Sequence, residues 1–163
     1  EALLRIRKSS KVAWAPAAEA RVVASDAQGT GQALQLRLKP DPDRKNPADK
    51  AAVSLRALPV TQITPDTIIS LRFHCTGPQT ASLAVAVEVG AGPTYYESAA
   101  ITIRDGEIGR RSLALGAPEW KTERTAWRFE AAVPAGRLHQ LVLLLYDPGP
   151  ETVVLIDDLR IMK

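Results

Sequence analysis

The chain has 163 residues, enough for one domain with a real core and too few for two comfortable ones. Hydrophobic content of 45% against 24% charged excludes disorder over the whole length, and no segment approaches the roughly 20 apolar residues needed to insert in a bilayer. Net charge is +3, but Lys and Arg are scattered among acids instead of forming a stripe, which argues against nucleic acid as a partner.

The opening Glu1, Ala2, Leu3, Leu4, Arg5, Ile6, Arg7, Lys8 lacks the apolar stretch and cleavage site of a secretion signal, and a first residue other than Met reads as a trimmed or processed start. Residues 1–18 are read as an extension or a first strand, with a short helix over 1–8 as an alternative, and 19–161 as the core of a single domain. From there almost every apolar segment has a period of two. A strand is expected over 21–24, and Leu34, Leu36 and Leu38 alternate with Gln35, Arg37 and Lys39. The segment 40–49 carries three prolines and reads as a solvated loop. As a calcium loop it fails, since Asn46 stands where Gly is needed and Ala52 where Glu is needed.

Further strands are expected over 52–57 and 98–104. Ile69, Leu71, Phe73 and Cys75 alternate with Ser70, Arg72 and His74, and Leu83, Val85, Val87 and Val89 alternate with Ser82, Ala84, Ala86 and Glu88. Trp127, Phe129, Ala131 and Val133 alternate with Arg128, Glu130 and Ala132, which reads as a strand with Trp127 in the core. Residues 141–146 are apolar on both faces, as in a central or covered strand. In the closing 153–162, Asp157 shares parity with Val153, Leu155, Leu159 and Ile161, so it is expected among core-type neighbours. Such a carboxylate needs hydrogen bonds, a cation or a metal, and a β-bulge between Asp157 and Asp158 would exchange their faces. Nine or ten strands with no long helical period predict an all-β, two-sheet antiparallel β-sandwich.

Catalytic chemistry finds no footing. His74 and His139 have no metal-type partner at short spacing and read as surface residues. G-x-S-x-G is absent, and Gly29-Thr30-Gly31 is not a phosphate loop. The single Cys75 excludes an internal disulfide and reads as a small core residue. An enzyme would need two acids, such as Glu88 and Glu97, converging in a deep pocket.

Taken in order, the turn and strand Gly29-Thr30-Gly31-Gln32-Ala33-Leu34-Gln35-Leu36, the strands at 67–75 and 82–89, Glu119-Trp120, Trp127-Arg128-Phe129, Val133-Pro134 and the closing Ile156-Asp157-Asp158-Leu159 resemble the β-jelly-roll carbohydrate-binding modules of the galactose-binding-domain-like superfamily. The resemblance runs from about residue 19 to 161 and implies a noncatalytic glycan-binding module of an exported, extracellular or cell-surface bacterial protein, attached to neighbouring domains. It also implies a structural calcium held by Asp157, the turn around Gly29, and Glu19 or Asp26. The alternative for Asp157 is hydrogen bonding without metal. Sugar binding calls for aromatic faces and hydrogen-bonding side chains. The residues nominated are Trp120, expected exposed in a turn, with Tyr95, Tyr96, Tyr146, Arg72 and Glu88. The small outward residues Ala84, Ala86, Ala100 and Ala132 suit a competing reading, a structural or protein-interaction sandwich.

Overall fold

A computed structural model of the chain describes residues 4–6, 19–24, 32–37, 50–55, 58, 60–77, 80–146 and 152–163. Thirteen strands are present: β1 (Leu4–Ile6), β2 (Glu19–Ala24), β3 (Gln32–Arg37), β4 (Lys50–Leu55), β5 (Gln62–Ile63), β6 (Ile68–Thr76), β7 (Ala81–Val89), β8 (Thr94–Ser98), β9 (Ile101–Ile103), β10 (Ile108–Ala114), β11 (Trp120–Lys121), β12 (Gly136–Tyr146) and β13 (Val153–Met162). One sheet runs β1, β4, β12, β7, β8, β11, with β5 also on β12 and β9 on β7; the other runs β10, β6, β13, β3, β2. Every pairing is antiparallel, which gives the all-β jelly-roll sandwich that the alternation predicts. The stretch 1–8 contributes strand β1, not a helix.

Side-chain parity builds the core. Leu83, Val85, Val87 and Val89 of β7 and Leu141, Leu143 and Leu145 of β12 face Leu71, Phe73, Cys75, Val154 and Ile156 of the other sheet. Each such side chain contributes about 1.5–3 kcal/mol on burial. Strand β12 is buried on its second face too. There Val142 and Leu144 pack with Ala52, Ala84 and Ala86 under Tyr95 and Tyr146, as expected from the doubly apolar 141–146.

Cys75 is fully buried, and its thiol is pushed up to about 11, chiefly by burial and then by Asp105 and Glu107. Strand β10 is invisible to a hydrophobic-period reading for two reasons. Its Gly109 lies across from Phe73, whose ring occupies the space where a Cβ would come within 2.4 Å of Cζ. Its Arg111 is buried and crosses the sandwich, donating to the Leu83 carbonyl at 2.6 Å and to that of Ala99. Burial lowers the proton affinity of this guanidinium and Glu119 opposes the change.

The closing strand corrects one expectation. Val154 and Ile156, not Val153 and Leu155, belong to the core, and Asp157 stands on the outer face of the five-stranded sheet opposite Arg72. One extra residue is then inserted between Asp157 and Arg160, with Asp158 in the left-handed region at φ 50°. This bulge returns Leu159 and Ile161 to the core side, where both pack. The four apolar residues and Asp157 share parity in sequence but not a face in the fold.

Candidate functional site

The residues 122–133 form no strand beyond a single bridge between Trp120 and Ala131, contrary to the alternation of Trp127, Phe129, Ala131 and Val133. A 3-10 turn over Glu123–Thr125 opens the loop, and the chain then passes through two successive left-handed residues, Ala126 (φ 51°) and Trp127 (φ 64°). Neither is glycine, so each costs on the order of 1–3 kcal/mol and must be held by its surroundings. The holding bonds are present. Trp127 N donates to the Thr122 carbonyl at 3.0 Å, and Arg128 N to that of Thr125 at 3.0 Å. Thr125 Oγ1 accepts from Thr122 N at 3.2 Å and donates to the Arg128 carbonyl at 2.7 Å. The loop therefore presents Trp127, a residue 51% exposed, and Phe129 is also exposed.

Beside the loop, Tyr95 leaves the outer face of β8 with its ring centroid 6.2 Å from that of Trp127, tilted by 57°. Together with Pro93, Thr94, Thr122, Glu123 and Arg124, these two rings line a cleft of about 420 Å³. Behind it sits one carboxylate. Glu97 is only 3% exposed and accepts from Tyr95 Oη at 2.8 Å, from Tyr146 Oη, and from Lys121 Nζ at 2.8 Å. The same Lys121 ammonium lies 5.1 Å from the centroid of the Phe129 ring. Burial first, then Glu97, raises both the Tyr95 and Tyr146 phenols above the ordinary tyrosine range. Glu97 thus fixes two tyrosines and, through Lys121, one face of Phe129. A buried carboxylate with these donors is an anchor for the aromatic surface.

The nominated residues separate into three groups. Tyr95, Tyr146 and Glu88 share the outer face of the eight-stranded sheet: Glu88 pairs with Tyr95 across β7 and β8, and Tyr146 packs on the same apolar cluster as Tyr95. Trp120 and Tyr96 do not join them. Tyr96 pairs with Val87 and is 5% exposed, and Trp120 is 1% exposed with Nε1 donating to the Ala114 carbonyl at 3.1 Å. Both are core residues, so neither ring face is open to a sugar. Arg72 stands on the other sheet, beside His74, Leu155 and Asp157 around a void of about 10 Å³, too small for a sugar ring. Trp127, expected in the core, is the exposed one of the two tryptophans among the described residues. Glu88 and Glu97 do share a face, diagonal across β7 and β8, yet neither lines the cleft and Glu97 is 3% exposed and engaged by Tyr95, Tyr146 and Lys121.

Of the expected calcium set, only the Asp157 side chain lies among the described residues. No group of three His, Cys, Asp or Glu gathers there. Glu19 pairs with Arg37, which pairs with Val153, so Glu19 is four residues along the strand from Asp157, about 13 Å before the lateral offset of two strands is added. The Glu19 side chain, Asp26 and Gly29 lie outside the described residues. Asp157 Oδ1 accepts from Asp158 N at 2.7 Å. Its neighbour Asp158 binds Arg160 at 2.5 Å and Arg110 at 2.9 Å, and these bonds, Arg160 first, hold its carboxyl below the usual range.

No family model and no curated protein matches the sequence. Solved structures match the fold. An exo-β-agarase superposes with a TM-score of 0.62 at 10% identity over 98% of this chain, which spans only 23% of the agarase chain. A family 11 carbohydrate-binding module from Clostridium thermocellum, solved with a β-1,3-1,4-mixed-linked tetrasaccharide, gives 0.56 at 12% identity over 98% of this chain and 95% of its own. The module TmCBM61, solved with β-1,4-galactotriose, gives 0.52 at 14% identity over 99% and 88%. At these identities the likeness is one of architecture, and the chain has the fold of the β-jelly-roll carbohydrate-binding modules.

Proposed function

We propose that the chain is a noncatalytic carbohydrate-binding module of an exported or cell-surface protein, where it holds an attached domain against a glycan. The observation that carries this reading is Trp127, half exposed on a loop locked by its own hydrogen bonds, with Tyr95 and polar side chains closing a cleft beside it. An exposed aromatic face desolvates the C–H surface of a sugar ring, while Glu123, Arg124 and Thr94 offer acceptors and donors to hydroxyls. Weak single-site binding becomes useful through tethering. The competing docking role rests on four small outward residues, of which Ala84 and Ala86 are buried within the chain itself while Ala100 and Ala132 are exposed.

The test is retention on affinity gels containing a panel of polysaccharides. Trp127→Ala is expected to abolish retention while the circular dichroism spectrum and melting point stay near those of the parent. Absence of retention on every glycan would remove the reading. A structural calcium enters this proposal only through Asp157. Melting raised by calcium and lowered again by a chelator would add the ion, and unchanged melting would dismiss it.

A further inference from the structure

We infer that the Trp127 cleft receives one neutral pyranose unit, at a chain end or on a branch of a soluble glycan, and not a run of sugars along a flat chain. The inference rests on the carbohydrate-binding reading above and specifies the ligand of that same site.

Three observations limit the site to one unit. First, of the exposed aromatics among the described residues, Trp127 and Phe129, only Trp127 lines the cleft. Phe129 is engaged by the Lys121 ammonium, which Glu97 holds at 2.8 Å, and Tyr95 is half-buried with its hydroxyl tied to the same carboxylate. Second, a flat sugar ribbon needs coplanar rings spaced along it. Trp127 and Tyr95 instead meet at 57° with centroids 6.2 Å apart, which makes a corner that grips one ring by a face and an edge. Third, the cleft of about 420 Å³ is lined by two short segments alone, 93–95 and 122–127.

The polar lining specifies a neutral ligand. Glu123 and Arg124 stand side by side in the wall with opposite charges, and neither forms an ion pair among the described residues. A carboxylate and a guanidinium together suit adjacent hydroxyls, which accept from one and donate to the other. The pair has no net charge, so it gives a charged sugar no overall attraction to offset the desolvation of that charge. Thr122, 2% exposed, also borders the cleft, and its buried Oγ1 has no hydrogen-bond partner among the described residues. The left-handed backbone at Ala126 and Trp127 is the conformation that turns the indole into this corner.

The experiment is calorimetric titration of the whole chain with glucose, galactose, xylose and mannose, with their β-linked oligomers up to the hexamer, and with galacturonic acid, alongside pull-down on microcrystalline cellulose. Affinity is expected to rise by less than about threefold between dimer and hexamer, because added units gain no aromatic contact. Galacturonic acid is expected to bind more weakly than galactose, and Trp127→Ala and Arg124→Ala to lose binding without a change in melting point. An affinity climbing about tenfold or more with length would replace the single-unit site by an extended groove while leaving the carbohydrate reading intact. Tighter binding of the uronic acid, or cellulose retention abolished by Trp127→Ala, would overturn the inference in the same selective way. No binding of any sugar or glycan would remove the parent reading and this one together.

Discussion

Trp120 and Trp127 stand on one short stretch of chain and have opposite fates. Trp120 sits on a two-residue strand paired with β8, is enclosed on all sides, and satisfies its single donor on the Ala114 carbonyl. Trp127 sits on a loop whose backbone adopts a conformation that L-residues avoid, and half of its surface meets solvent. The first placement lowers the free energy of the fold. The second forgoes much of that gain, since the exposed half of the residue contributes nothing by burial and the strained backbone opposes folding.

The contrast can be broken at its strongest point by truncating each indole. Trp120→Ala is expected to cost about 3–5 kcal/mol and lower the melting point by many degrees. Trp127→Ala is expected to change stability by under about 1 kcal/mol. Equal losses in denaturant unfolding would erase the distinction. A smaller effect sharpens the link between the two regions: Glu97→Ala strips Tyr95, Tyr146 and Lys121 of their acceptor and is expected to cost about 2–4 kcal/mol. It should also weaken glycan retention, since the platform beside Trp127 loses its anchor; full retention at reduced stability would show that Trp127 acts without it.

The smallest effect is read by pH. Because the folded chain holds Tyr95 and Tyr146 protonated more firmly than the unfolded chain does, their contribution is complete below the ordinary tyrosine value near about 10 and declines as pH rises beyond it. Ultraviolet titration should find these two phenols ionising only with loss of the fold. Ionisation near the free value in the native protein would contradict the network around Glu97.

Much of the fold was legible because buried strands carry their period openly. The residues of β6, β7 and β12 face as their alternation requires, and the doubly apolar 141–146 is indeed covered on both sides. Strand β10 was hidden because two of the three inward positions of that edge strand are filled by Gly109 under the Phe73 ring and by a desolvated guanidinium, leaving only Leu113 to mark its period. The candidate site was less readable. Trp127, Phe129, Ala131 and Val133 mimic a strand, yet only the last is fully buried, and nothing in a period of two announces two left-handed residues. The choice between Tyr95 and Tyr96 did carry a signal. Tyr95 shares parity with Glu97, and in a half-buried strand the acid marks the outer face. Asp157 was misplaced by a single inserted residue, the one feature that inverts every face beyond it.

The position of β13 between β3 and β6 has a consequence for how the protein is made. Those two flanking strands have no hydrogen-bonded contact with each other, so during synthesis they wait as separate unpaired edges until the residues 153–162 have emerged. Such late, long-range closure is slow, and edges left open in the meantime invite association between nascent chains. A ribosome stalled before this strand would hold two half-sheets with no seam to join them.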